Sequence, residues 1–124
     1  CGFLFVALGL IILLFDYFKH WYMIIKPEDV IIPEEKVLNY LLVSKEKNDK
    51  SAFLLKLGFN RHNYTELIEE IINIASRNEA ILSRTSEFGN LYRIEGRLRN
   101  NVVVTIWMEE IEHNKFRFVT LSPA

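Results

Sequence analysis

Residues 91–108 read Leu91-Tyr-Arg-Ile-Glu-Gly-Arg-Leu-Arg-Asn-Asn-Val-Val-Val-Thr-Ile-Trp-Met108. Apolar and charged side chains alternate as far as Arg99, and an asparagine pair precedes a second run rich in β-branched residues. Period-two patterning broken by turn formers predicts two antiparallel strands joined by a hairpin. The same signature continues on both sides. Strands are expected at about 80–84, 91–99, 102–108 and 116–121, with turns at 86–90, 100–101 and 113–114.

Upstream of residue 78 the apolar period lengthens to nearly four, the spacing of a helix face. Pro33 with Glu34 and Glu35 opens a first helix to about residue 43, with Val37, Leu38, Leu41 and Leu42 as its apolar positions and Glu35, Lys36 and Asn39 turned toward solvent or a cleft. Asp49 caps a short second helix carrying Phe53, Leu54 and Leu57, and Gly58 ends it. Asn63 and Glu66 form a capping-box-like start for a third helix over 64–76, which buries Leu67, Ile68, Ile71, Ile72 and Ala75. Helices followed by strands predict an α+β domain, with three N-terminal helices packed on one face of a four-stranded antiparallel sheet.

The register of the central hairpin decides which side chains share a face. Tyr92, Ile94 and Leu98 alternate with Arg93, Glu95, Arg97 and Arg99. A strict two-residue turn would set the arginines beside Val104 and Ile106, a poor match for burial. The expectation is therefore a bulged connection, which unites the apolar rows and sends Ile106 and Met108 beneath the helices with Val119 and Leu121. Arg93, Glu95, Arg97, Thr105, Trp107, Phe118 and Thr120 would then share the opposite face.

The 124 residues leave room for one domain, and Lys and Arg number 15 against 16 Asp and Glu, so no global attraction to nucleic acid or membranes follows. Cys1, the single cysteine, rules out an internal disulfide and a cysteine-based zinc cluster. His20, His62 and His113 lack metal-ligand spacing, and no metal or cofactor is expected. Residues 1–22 form an apolar segment that carries no polar side chain from Gly2 to Phe15. This run is short for a bilayer span. It reads either as the end of a membrane anchor with an aromatic and basic collar, or as a leader before a start at Met23. The second reading is favoured and makes residues 23–124 a single cytoplasmic domain; the first makes the chain membrane-anchored.

The segments Lys36-Val-Leu-Asn-Tyr-Leu-Leu42, Lys50-Ser-Ala-Phe-Leu-Leu-Lys-Leu-Gly-Phe59, Phe88-Gly-Asn-Leu-Tyr-Arg-Ile-Glu-Gly96, Val104-Thr-Ile-Trp107 and Phe118-Val-Thr120, closed by Pro123, resemble a family of small bacterial domains of unknown function. Its members stand alone or sit at the ends of toxin-like polypeptides. The order of helices and sheet is similar to that of the barnase, EndoU, colicin and RelE ribonuclease toxins, an analogy of architecture that does not carry activity with it. The loop between Arg99 and Val102 is shorter than the family pattern.

Two functions follow as expectations. A metal-independent endoribonuclease needs a base for the 2′-hydroxyl, a cation for the phosphate and an acid for the leaving oxygen. Lys36, Lys50, Arg93, Thr105 and Thr120 are its catalytic candidates, and Tyr92, Arg97, Trp107 and Phe118 its substrate-binding ones, with RNA as partner. His113 serves as base only if its turn folds toward the sheet. The alternative is a non-catalytic binding module, the antitoxin or immunity partner of a small two-gene system or a docking domain, since exposed Trp beside Arg is also hot-spot composition.

Overall fold

The computed structural model describes residues 23–43 and 50–124. The apolar run 1–22, with both readings of it, and the Asp49 cap lie outside the described residues. After a single 3₁₀ turn at Pro27–Asp29, the chain forms β1 (Val30–Ile31), α1 (Glu34–Lys36) running into a π-helical turn (Val37–Leu41), α2 (Lys50–Lys56) and α3 (Tyr64–Arg77). The rest is strand: β2 (Ala80–Ser86), β3 (Gly89–Leu98), β4 (Asn101–Glu110) and β5 (Lys115–Pro123).

The sheet order is β1-β5-β4-β3-β2. This corrects the expected four-stranded antiparallel sheet, because β1 precedes the helices and lies parallel to β5, pairing Val30 with Phe116 and Ile31 with Arg117. The result is a five-stranded mixed sheet, and only the broader α+β class stands. A two-residue strand between Pro27 and Pro33 is too short to show alternation, so periodicity has nothing to detect there.

α3 is amphipathic, with Leu67, Ile71, Ile74 and Ala75 buried, while Ile68 and Ile72, expected in the core, are only partly covered. It crosses β3 closely at Gly96, where a Cβ would stand 2.7 Å from the Ile74 methyl carbon Cγ2. Any side chain there would push the helix off the sheet. α2 ends as its sequence predicts: Gly58 adopts φ +91°, and Phe59 and Gly58 donate backbone N–H groups to Leu54 and Leu55. The capping box at the start of α3 does not form. The Asn63 side chain turns back to the loop, accepting from the Asn60 N–H and donating to the Gly58 carbonyl, and Glu66 pairs elsewhere.

The hairpin register also differs from expectation. Leu98 pairs with Asn101, so the turn is Arg99-Asn100, with φ 47° and 68°, the two left-handed residues of a type I′ turn. Arg93 then faces Ile106, Glu95 faces Val104 and Arg97 faces Val102 across the strands. Ile94, Leu98, Val103, Trp107, Phe118 and Leu121 pack beneath the helices with Val37, Leu41, Leu54 and Phe59. β4 is apolar on both faces, so its pattern cannot choose the buried one, and a one-residue shift in the turn exchanges them.

Arg99 explains how the tight turn is held. Its guanidinium donates to the Leu57 carbonyl, lies 3.9 Å from the centre of the Phe59 ring, and approaches Glu66 at 3.3 Å and Glu70 at 3.5 Å. A residue in left-handed backbone is thereby clamped onto the helical layer.

Candidate binding surface

The shift of register redistributes the sequence-derived site residues. Thr105, Trp107 and Phe118 lie on the helix side and are buried; the two aromatic rings meet edge to face at 5.4 Å. The Trp107 indole N–H donates to Thr105 Oγ1 at 2.8 Å, and the Thr105 hydroxyl donates to the Ile94 carbonyl at 2.9 Å. This relay satisfies a buried indole and a buried hydroxyl inside the sheet, and neither group meets solvent. Base stacking on Trp107 or Phe118 is therefore excluded, and so is an orienting role for Thr105 toward an external substrate.

Tyr92 sits on the same side, paired with Trp107 and set edge-on to Phe116 with 5.7 Å between ring centres. Its phenol is half-buried at the rim. Burial, reinforced by the neighbouring Glu109 carboxylate, pushes its pKa up to about 12, so it holds its proton throughout the ordinary pH range.

Arg93 and Arg97 stand on the opposite, outward face, a different side of the sheet from Thr105 and Trp107. Around them the pairing builds successive cross-strand rows. Ile81, Arg93, Ile106 and Thr120 form one, Leu91, Met108 and Arg117 the next, and Glu95, Val104 and Ser122 another. All the described helices pack on the other side. Along β4, Val102, Val104, Ile106 and Met108 make an aliphatic stripe at the centre of the outward face, with Val102 44% exposed. Ile81, 58% exposed, extends the stripe toward the β2 edge. Arg84, Arg93, Arg97 and Arg117 frame it; of these, Arg117 is paired with Glu110.

The sequence hid this surface because the same four β4 residues fit a core assignment equally well. The available signal was the row Arg93, Glu95, Arg97 on β3, charged throughout, whose cross-strand partners share its side under the tightest turn.

Lys36, Lys50 and Thr120, three of the catalytic candidates, come together at the outer edge of β5. Lys50 Nζ donates to Thr120 Oγ1, and the Lys50 and Lys36 ammonium groups lie 5.6 and 5.8 Å from the centre of the Tyr40 ring. Arg93 is separated from Thr120 by β4. His113 lies in the β4–β5 turn, donating its backbone N–H to Glu110, at the opposite end of β5 from Thr120. No group of three or more His, Cys, Asp or Glu side chains gathers at metal-binding distance among the described residues. No described helix is long and apolar enough to cross a membrane.

Residues 25–124 match the model of a family described as domain of unknown function DUF6883, and the chain belongs to that family. The match carries no description of toxins or ribonucleases. No curated protein and no solved structure matches the chain.

Proposed function

We propose that this DUF6883 domain is a non-catalytic binding module whose outward sheet face docks an acidic protein partner. The supporting observation is the aliphatic stripe of Val102, Val104, Ile106 and Met108 framed by arginines on the face turned away from the helices. An apolar centre with a polar rim is the anatomy of a protein interface, and arginine is over-represented among interface residues that carry binding energy. The excess of cations in the frame favours a partner that presents carboxylates around an apolar patch. The endoribonuclease reading draws no comparable support, since its stacking aromatics are interior and its cations are divided between the outward face and the β5 edge.

The test is co-purification of the tagged chain from the cells that produce it. The expected result is a single acidic protein bound one to one, giving hydrogen-exchange protection along β4. Ile106→Asp and Arg93→Glu should each abolish the complex, while the helix-surface change Glu69→Gln leaves it intact. Binding that survives Ile106→Asp, or a footprint on the helical side, overturns the proposal, as does self-association through this face. Cleavage of total RNA in chelator that is lost in Arg93→Ala would restore the nuclease reading in its place.

A further inference from the structure

The Tyr40 cluster gathers two cations from separate helical elements on one aromatic ring. Arg99, Lys115 and Arg117 each have a carboxylate within 4 Å: Glu66 and Glu70, Asp29, and Glu110. Lys36 and Lys50 converge on that ring, and, as with most described cations, neither is paired with a carboxylate among the described residues. Two ammonium groups held near one ring concentrate positive charge in a small area, and the ring quadrupole attracts each of them. Such an arrangement is stabilised by whatever brings negative charge between the two amines.

The local backbone holds the cluster open. β1 pairs only with Phe116 and Arg117, so beyond Arg117 the outer edge of β5 has no strand beside it among the described residues. Between Phe118 and Thr120 the strand carries one extra residue, Val119, opposite the Ile106–Trp107 step, and this bulge re-aims the side chains around it. The π-helical turn at Val37–Leu41 carries Tyr40, 38% exposed, and its widened geometry leaves the Leu38 carbonyl to accept from Arg61.

We infer that Lys36, Lys50 and Thr120, organised around Tyr40, form a binding site for a phosphoryl group. The chemistry matches in three respects. Lysine ammoniums bind phosphate as compact point charges with several donors each. The Thr120 hydroxyl accepts from Lys50, which leaves its own proton to donate to an oxyanion. An oxyanion with several acceptor oxygens can take donors from two lysines and a hydroxyl together, and a carboxylate offers fewer. The site borders the outward-face stripe, since Thr120 pairs with Ile106, but its cations come from Lys36 and Lys50 and not from the arginines of that face.

The experiment is a titration of the isotope-labelled chain followed by NMR, reading the Tyr40 ring and the Lys50 and Thr120 amides, with inorganic phosphate in one arm and a single-stranded oligoribonucleotide in the other. Saturable shifts confined to these residues are expected with phosphate, weakened about tenfold or more in Lys36→Gln or Lys50→Gln and retained in Lys50→Arg. Glu69→Gln, on the exposed face of α3, should change nothing. Tighter binding of the oligonucleotide, with affinity falling steeply as salt rises, assigns the phosphoryl group to a nucleic-acid backbone. Equal affinity in both arms assigns it to a small phosphorylated ligand. Absence of saturable shifts at Tyr40, or shifts unchanged in both glutamine variants once their folds are verified by circular dichroism, overturns the site.

Discussion

At the scale of single residues, Thr105 separates a structural role from a functional one. Its hydroxyl is both acceptor for the Trp107 indole and donor to the Ile94 carbonyl, and the residue is fully buried. Thr105→Val keeps the shape of the side chain but leaves the indole N–H buried without a partner. The cost of such an orphaned donor is about 1–3 kcal/mol. Thr105→Ser keeps the hydroxyl and forfeits only a methyl group, about 1 kcal/mol. Chemical denaturation should therefore rank wild type above Ser and Ser above Val, with Trp107 fluorescence reporting the changed indole environment. Equal stability of the Val variant and wild type would refute the relay. The same placement explains why composition misleads here. Trp, Phe and Thr beside Arg read equally as a stacking surface or as a core next to a wet face, and only the face parity of one strand distinguishes the two.

At the scale of elements, the β3–β4 hairpin shows what the sequence could and could not specify. The helix over residues 64–77 was legible, since its apolar positions recur over nearly four turns and Gly58 marks the end of α2 before it. Four of the five strands were legible within a few residues, through alternation and turn formers. The turn phase was not, because Arg99-Asn100 and Asn100-Asn101 are both acceptable pairs, and the residue that settles the matter acts over a long range. Arg99 reaches Leu57, Phe59, Glu66 and Glu70, contacts 29 to 42 positions away that local patterning cannot contain. The clamp and the strained backbone oppose each other, so substitution can separate them. Arg99→Ala removes the clamp and keeps a left-handed non-glycine residue, while Arg99→Gly removes both. Left-handed backbone costs a non-glycine residue roughly 1–2 kcal/mol. The glycine variant should accordingly be about 1 kcal/mol more stable than the alanine variant, measured by urea unfolding, with both below wild type. Identical losses would mean that the turn stores no strain. The β1 strand and the Tyr40 cluster were beyond reach for a related reason: each joins segments far apart in sequence through two or three residues.

At the scale of the whole molecule, the segment from Met23 to Ile31 acts as a strap. The Met23 carbonyl accepts from the Ala80 N–H at the β2 edge, and Val30 pairs with Phe116 at the β5 edge, so the six residues between Met23 and Val30 link the two ends of the sheet. Ile25, 2% exposed, is buried two residues after Met23, and Lys115 fastens the β5 end by donating to the Glu28 carbonyl and pairing with Asp29 at 3.3 Å. A strap held between its ends by one buried side chain opens as a unit when that anchor is weakened. Ile25→Ala should cost about 2–4 kcal/mol, the range for truncating a buried aliphatic side chain. Native-state hydrogen exchange tests where that energy is lost, because local opening and global unfolding give different amide patterns. The amides of Ala80 and of the β1–β5 pair should lose protection in parallel, although they lie on opposite edges, while Ile94 and Trp107 at the centre change only with global stability. Loss at one edge alone would show two independent tethers in place of one strap. The outward face and the Tyr40 cluster would keep their geometry in either case, since β2 to β5, α1, the π-helical turn and α2 supply their residues and none comes from the strap.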